Sequence, residues 1–387
     1  MLDNKKNILV FVDWFLPGYR AGGILRTIAN LIDNLSEIYN FYVITRDRDY
    51  MSERQYQNIS AGEWNLISSS LRVFYLKPSQ INIKFISDIV KNTDFDLAYI
   101  NGVYSFYFSI FPVWLMRRLK RPVVLSARGM LSKHTFSRKK LKKRLFIYLA
   151  KTINFYSNLC FHATSQIERQ EILSFFPKAR VILIPNPTRN IDNFPYLSRT
   201  KEQGQLRLVS IARISQEKNT LFALEVLKDI NKGEVIFDLF GTIYDSNYWA
   251  ECKRLISQMH PNVKVNYKGE VHTNKVLDTF SQYHFSFMPS MGENFGHSIF
   301  ESLAAGTPVI ISSNTPWRDL QYLGIGWDLD LHNKRQFQEV IEACLQMSDK
   351  EYESVSRNAY FYVREKINRK QILQEYIKMF NYCMEHV

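Results

Sequence analysis

No stretch of this sequence approaches the roughly 20 apolar residues that a membrane-spanning helix requires, and no tract is repeated or low in complexity. The apolar run Ile8 to Leu16 is interrupted by Asp13 and reads as a buried first strand rather than a secretory leader. Cysteine is scarce. Cys160, Cys252, Cys344 and Cys383 lie far apart and form no CxxC pair, which argues against a disulfide scaffold or a thiolate zinc site. The eight histidines contain no HxxxH spacing, so no metal site is expected. GxGxxG is missing as well, and with it the usual sign of a dinucleotide cofactor. These absences leave a reduced cytoplasmic protein that needs neither metal nor cofactor as the expectation.

What the sequence does have is positive charge, unevenly spread. At 387 residues the chain exceeds one ordinary core, so two domains are expected. Residues 1–190 hold 28 Lys and Arg against 13 Asp and Glu, while the remainder holds 22 against 24. The basic first half points to an anionic partner. Its densest cluster runs from Lys133 through Lys139, Lys140, Lys142, Lys143 and Arg144 into the apolar Leu145 to Leu149. That order suits an interfacial helix on acidic lipid headgroups, and equally a solvated helix whose apolar residues enter the core. Charge alone also suggests a polyanion-binding protein, but no nucleic-acid module or aromatic stacking motif accompanies it, so no nucleic-acid partner is expected.

Short β-branched runs alternate with helical patterns along the first half. Strands are predicted at 8–13, 41–45, 73–76, 97–101, 123–126, 159–163 and 181–184, with helices over 24–35, 106–118 and 141–155. A linker is read at 185–187 and 190–205, after which the strand–helix alternation restarts and ends in helix beyond residue 350. This is the pattern of two α/β domains in tandem, with ligand expected at the C-terminal ends of strands. Asp94–Phe95–Asp96 spells DxD but sits before a predicted strand, and is read as loop.

Three segments carry chemistry. The first, Pro289 to Pro308, ends a strand, passes through Gly292, Glu293, Asn294, Phe295 and Gly296, and opens a helix. Free N–H groups at a helix start suit phosphate or hydroxyl oxygens, and Glu301 lies about two helical turns beyond Glu293. Two acceptor carboxylates at that spacing fit a polyol; an ordinary helix acid and a satisfied surface Glu are the plainer reading. In the second, Arg213 and Lys218 follow the predicted strand 206–211 and can converge on a diphosphate, whose growing charge is the main electrostatic task in glycosyl transfer. The third is the Gly22–Gly23 turn after the first strand, where the backbone can approach a phosphate or sugar closely.

In order and spacing, these segments resemble the retaining GT-B glycosyltransferases of family 4. The likeness rests on the Gly-Gly loop, the Arg213…Glu217-Lys218-Asn219 turn, the Glu293-x7-Glu301 motif and Ala305-Gly306-Thr307-Pro308-Val309, and it covers nearly the whole chain. It implies two Rossmann-like domains facing across a cleft: an acceptor domain over 1–190, onto which a C-terminal helix at 368–387 packs, and a donor domain over 191–367. It further implies that Arg213 and Lys218 hold the diphosphate of a nucleotide-sugar. Glu293 with the backbone of Asn294, Phe295 and Gly296 would bind the sugar, Glu301 the ribose, and Gly22 and Gly23 the phosphates. Arg128 stands where many relatives carry a sugar-contacting His. The implied activity is metal-independent transfer with retention, from a nucleotide-sugar to a glycan or lipid-linked acceptor. Bacterial surface polysaccharide assembly, such as that of lipopolysaccharide, on the inner face of the cytoplasmic membrane is the implied setting. A sugar-nucleotide epimerase of the same fold is the rival reading.

Overall fold

A computed structural model describes residues 5–131, 140–157 and 159–386, and for 140–144 the backbone alone. The chain forms two compact units. Unit 1 runs to Thr188 and takes in the segment from Arg369 on, and unit 2 spans Arg189–Asn368.

Unit 1 is built on eight strands: β1 (Lys6–Phe11), β2 (Tyr39–Arg46), β3 (Trp64–Ser68), β4 (Leu71–Leu76), β5 (Leu97–Asn101), β6 (Val123–Ser126), β7 (Cys160–Ala163) and β8 (Arg180–Leu183). They lie in the order β3-β4-β2-β1-β5-β6-β7-β8, all parallel except the edge strand β3. The helices are α1 (Gly23–Leu35), α2 (Ile83–Lys91), α3 (Phe111–Leu119), α4 (Lys140–Thr152) and α5 (Gln166–Phe175). Both sheet faces are covered, so the central strands β5, β6 and β7 are buried throughout and read as unbroken apolar runs. Alternation along β1 sends Leu9 and Phe11 into one core and Ile8 and Val10 into the other.

Unit 2 carries β9 (Gln205–Ile211), β10 (Glu234–Phe240), β11 (Val263–Gly269), β12 (Phe285–Met288), β13 (Val309–Ser312) and β14 (Gly326–Leu329). Its helices are α6 (Thr220–Lys228), α7 (Ser246–Ile256), α8 (Val276–Phe280), α9 (His297–Ala304), α10 (Lys334–Gln346) and α11 (Asp349–Lys366). All six strands are parallel, in the order β11-β10-β9-β12-β13-β14. Counted from the unit's first strand this is 3-2-1-4-5-6, the Rossmann order. The last helix, α12 (Arg369–His386), belongs to unit 1 and buries Tyr376, Met379, Phe380 and Cys383 in its core. In each sheet the strand order reverses beside the first strand, between β1 and β5 and between β9 and β12. Open α/β sheets bind ligands outside the strand ends at such reversals.

Two expectations need correction. The helix expected over 106–118 is in two pieces, a π turn at Phe106–Ile110 and then α3. Pro112, in the first turn of α3, needs no hydrogen-bond acceptor there. The supposed linker 190–205 has no regular structure before Gln205, where β9 begins, yet it is packed. Lys201 is buried and donates to Leu345 O and Met347 O at 3.2 and 3.0 Å, covering carbonyls at the end of α10.

In each unit a buried histidine has its pKa pushed down by its surroundings, His162 in unit 1 and His284 in unit 2. In unit 1, His162 Nδ1 lies 2.9 Å from Tyr99 Oη and Nε2 lies 2.9 Å from Ile184 O. Burial, with the nearby Arg128 charge, pushes its pKa down to about 3. In unit 2, burial and the Lys201, Arg199 and Arg207 charges push His284 to about 4. Unfolding frees both rings to titrate near 6.5, so the unfolded chain binds more protons below that pH and stability falls as pH drops. The loss continues to about pH 4 for His284 and about pH 3 for His162. Between pH 6.5 and 5, each unit is expected to lose on the order of 2 kcal/mol from its histidine. Urea unfolding at pH 7, 6 and 5 checks this, and unchanged midpoints would mean the rings titrate in the fold as they do in the unfolded chain.

Candidate functional site

The site in unit 2 grows from the reversal between β9 and β12. After β9 the chain passes through Arg213 to Lys218, and Asn219 caps α6 in the left-handed region with φ 56°. After β12 the loop 289–296 leads to Gly296, whose φ is 78°. A Cβ there would also meet the Ile299 and Trp317 side chains at 2.8 and 3.2 Å, so glycine is required on both counts. The loop is fixed from three directions. Trp317 Nε1 donates to Phe295 O at 2.6 Å, Ser298 Oγ to Ile211 O at 2.7 Å, and Met291 N to Glu217 O at 2.9 Å. The last two bonds tie it to β9 and the turn beyond.

That tie brings Lys218 Nζ to 2.5 Å from Glu293 Oε1, with the two side chains only 16% and 17% exposed. A charge-assisted bond so shielded from water is stronger than a surface pair. Arg213 Nη2 stands 3.2 Å from Glu217 Oε2, and its guanidinium lies over the Tyr244 ring at 5.4 Å from the centroid. Glu301 is buried in α9. The first N–H groups of α9 have no acceptor within the helix and carry the positive end of its dipole. The reversal thus gathers Lys218, Glu293 and the Asn294–Gly296 backbone, with Arg213 on the same turn as Lys218. Ammonium and helix start can take phosphate oxygens; the carboxylate can take sugar hydroxyls.

In unit 1 the corresponding reversal is bridged by Asp13. Its Oδ1 accepts from Arg46 Nη2 at 3.1 Å and Ser105 Oγ at 2.9 Å, joining the ends of β1, β2 and β5. Burial raises the Asp13 carboxyl above its usual range, against the lowering pull of Arg46 and Ser105. The Arg46 guanidinium lies 5.6 Å from the Trp14 ring and 4.8 Å from that of Phe108. Asp49 accepts from Tyr19 N, Arg20 N and Tyr50 N at 2.8, 3.1 and 2.7 Å, which anchors the loop leading to Gly22. Gly22 has φ 79° and ψ −138° and Gly23 begins α1; side chains beyond glycine are excluded from that backbone region.

Arg128, expected at the donor sugar, is engaged inside unit 1. Its guanidinium donates to Asn101 Oδ1 (3.0 and 2.9 Å), Asn186 Oδ1 (2.9 Å) and Tyr99 Oη (2.7 Å). These bonds tie β5 and the turn after β8 together, and none of its described partners is a carboxylate. Lys139 lies outside the described residues; Lys140, Lys142, Lys143 and Arg144 occupy the first turns of α4. The DxD decoy sits at the other end of the sheet, where Asp96 accepts from Asn7 N at 2.8 Å. Asp13, Arg46, Asp49 and Trp317 escaped the sequence reading because their partners are remote: Asp13 and Ser105 are 92 residues apart. Among the described residues, no group of three or more His, Cys, Asp or Glu is placed to hold a metal, and no helix is long and apolar enough to cross a membrane.

Residues 21–189 match the family described as Glycosyltransferase Family 4, and residues 198–361 match Glycosyl transferases group 1. The chain is similar to an alpha-monoglucosyldiacylglycerol synthase of Streptococcus pneumoniae, 24% identical over 79% of this chain and 70% of that protein. Among solved structures it resembles the sucrose-phosphate synthase of Thermosynechococcus elongatus, with a TM-score of 0.73 at 15% identity over 99% of this chain and all of that one. Anabaena HepE in complex with UDP and glucose gives 0.68 at 15% identity, over 97% of this chain and 99% of that one. These likenesses establish the GT-B type of fold, with two Rossmann-like domains.

Proposed function

Because the chain belongs to the group 1 glycosyltransferases, we propose that it moves a sugar, with retention and without a metal, from a nucleoside-diphosphate sugar to a lipid-linked acceptor in the making of a bacterial surface glycan. The observation that carries this is the Lys218–Glu293 pair at the strand reversal of unit 2. Lys218 and Arg213 meet the diphosphate charge that a metal would otherwise neutralise, and Glu293 with the start of α9 orients the sugar hydroxyls. Glu301 takes the ribose. The acceptor oxygen bonds to the anomeric carbon on the face the phosphate leaves, and its proton passes to the departing phosphate oxygen. A glycolipid synthase among the relatives supports the lipid-linked acceptor, and the UDP and glucose of the HepE structure support a UDP-sugar. A protein acting on such an acceptor works at the cytoplasmic face of the membrane.

A thermal-shift screen against UDP, GDP, ADP and CDP, without added metal, tests the donor reading. Ligand at about 100 times its Kd adds about 2.7 kcal/mol to the folded state, a rise of roughly 5–10 °C for a unit of this size. One diphosphate is expected to give that rise, and Arg213→Ala or Lys218→Ala to abolish it. No shift with any of the four would remove the proposed donor site.

A further inference from the structure

Unit 1 shows water an apolar surface that its own cores leave unused. α4 turns Ile147 and Ala150 inward, while Leu145, Tyr148, Leu149 and Ile153, just past its end, fall at helical spacing on the opposite side. Those four are 50% to 67% exposed, where a helix bordering water carries polar residues. Next to α4, α3 exposes Trp114, and the turn before it exposes Phe106. The two are linked through Phe111, stacked on Phe106 at 6.5 Å and on Trp114 at 5.8 Å. The helices adjoin: Arg117 of α3 donates to Asn154 O at 2.9 Å and Phe155 O at 2.5 Å beyond the end of α4, and Tyr104 meets Phe146 edge-on at 6.0 Å.

The stretch of chain that carries this surface has charge of one sign. Between residues 97 and 167, which contain both helices, the sequence has thirteen Lys and Arg and not one Asp or Glu. Arg118 lies over the Trp114 ring at 5.8 Å, and Lys120, Arg121 and Lys151 are exposed in the same stretch. A second copy of the chain would bring the same cations face to face across a two-fold interface, at the cost of like-charge repulsion. An acidic bilayer instead offers phosphates to the cations and a headgroup layer to Trp and Tyr, whose rings favour that boundary.

We infer that the exposed faces of α3 and α4 seat unit 1 on an acidic phospholipid surface, with Trp114, Leu145, Tyr148 and Leu149 entering the headgroup layer and the surrounding cations resting on phosphates. The inference deepens the reading of a lipid-linked acceptor and rests on it for the purpose of the seating. The lysine run noted in the sequence belongs to the same acid-free stretch, but the apolar face, and not charge alone, is what holds the protein.

The test floats the intact protein with vesicles of phosphatidylcholine alone and of phosphatidylcholine with phosphatidylglycerol. Wild type is expected to float with the acidic vesicles and to stay behind with the neutral ones. The triple variant Leu145→Ser/Tyr148→Ser/Leu149→Ser is expected to bind acidic vesicles at least tenfold more weakly, with its response to the selected nucleoside diphosphate retained. Trp114→Ser alone, a milder change, is expected to weaken binding about threefold or more. Wild type that ignores acidic vesicles, or a triple variant that binds them like wild type, overturns the inference. So does a wild-type dimer that the triple variant dissociates without any vesicle binding, because the face would then belong to a second copy. Lost vesicle binding with the diphosphate response intact strikes only the seating; a wild type with no diphosphate response strikes the transferase reading itself.

Discussion

Lys218→Ala is expected to lower glycosyl transfer about a thousandfold while leaving the fold intact. Without donor, the ammonium is matched by Glu293 at 2.5 Å. On the proposed donor reading, Lys218 faces a diphosphate whose charge grows as the sugar leaves, so its contribution is largest in the transition state. Removing it has a second consequence, since Glu293 is left as an unmatched carboxylate beside the incoming diphosphate. Glu293→Ala should cut transfer to a similar degree, for another reason: the sugar loses its orienting acceptor. The two variants therefore separate in binding. Diphosphate affinity is expected to fall in Lys218→Ala and to hold or rise in Glu293→Ala, where the ammonium is freed. Because the two groups touch, the double variant should be less impaired than the product of the single losses. Isothermal titration with the diphosphate and initial rates with its sugar measure both halves. Near-normal rates in both single variants would sink the site assignment.

The segments that meet at the strand reversal of unit 2 were legible because their signals are local. Arg213, Lys218, Glu293 and Glu301 lie within two short segments, each a strand end followed by a helix start, and strand–turn–helix boundaries are written in neighbouring residues. The strand order was not written that way. That β9 and β12 are neighbours follows from a sheet order of 3-2-1-4-5-6, and only that order sets the Lys218 turn beside the Glu293 loop. The same limit hid Asp49, whose acceptance of Tyr19 N and Arg20 N spans some 30 residues, and it hid the partners of Arg128 within unit 1. Those partners, Tyr99, Asn101 and Asn186, come from a strand and a turn that the sheet brings together. Edge strands β3 and β14 went unread because Asn65 and Ser68 in the one, and Gly326 and Asp328 in the other, break the apolar run that marked the buried strands. The stretch 190–205 went unread as packed structure for a different reason. Its composition is that of a linker, and composition does not record which carbonyls a polar side chain will find.

Arg199, in the middle of that stretch, should be costly to remove although its surroundings in sequence read as a linker. Its guanidinium donates to Tyr283 O at 2.6 Å, Thr307 Oγ1 at 2.8 Å, Ser356 Oγ at 3.0 Å and Gly306 O, and lies 5.8 Å from the Tyr352 ring centroid. One side chain thus joins the residues before β12, the turn after α9, and α11. No carboxylate is among its described partners, so the stabilisation comes from hydrogen bonds to carbonyls and hydroxyls that water reaches poorly. Truncation leaves several of those acceptors without a donor, and bonds from a charged group are worth about 1.5–3 kcal/mol each before relaxation. Since the residue is only half-buried and water can refill part of the space, Arg199→Ala is expected to cost about 2–4 kcal/mol. In a unit of 150–250 residues that lowers the melting temperature by roughly 5–12 °C. Arg199→Lys should recover little, because an ammonium lacks the planar fork that reaches four acceptors at once. Calorimetry of both variants decides the point: a melting temperature within a degree or two of wild type for Arg199→Ala would show that the 190–205 segment is a tether and not part of the unit 2 core.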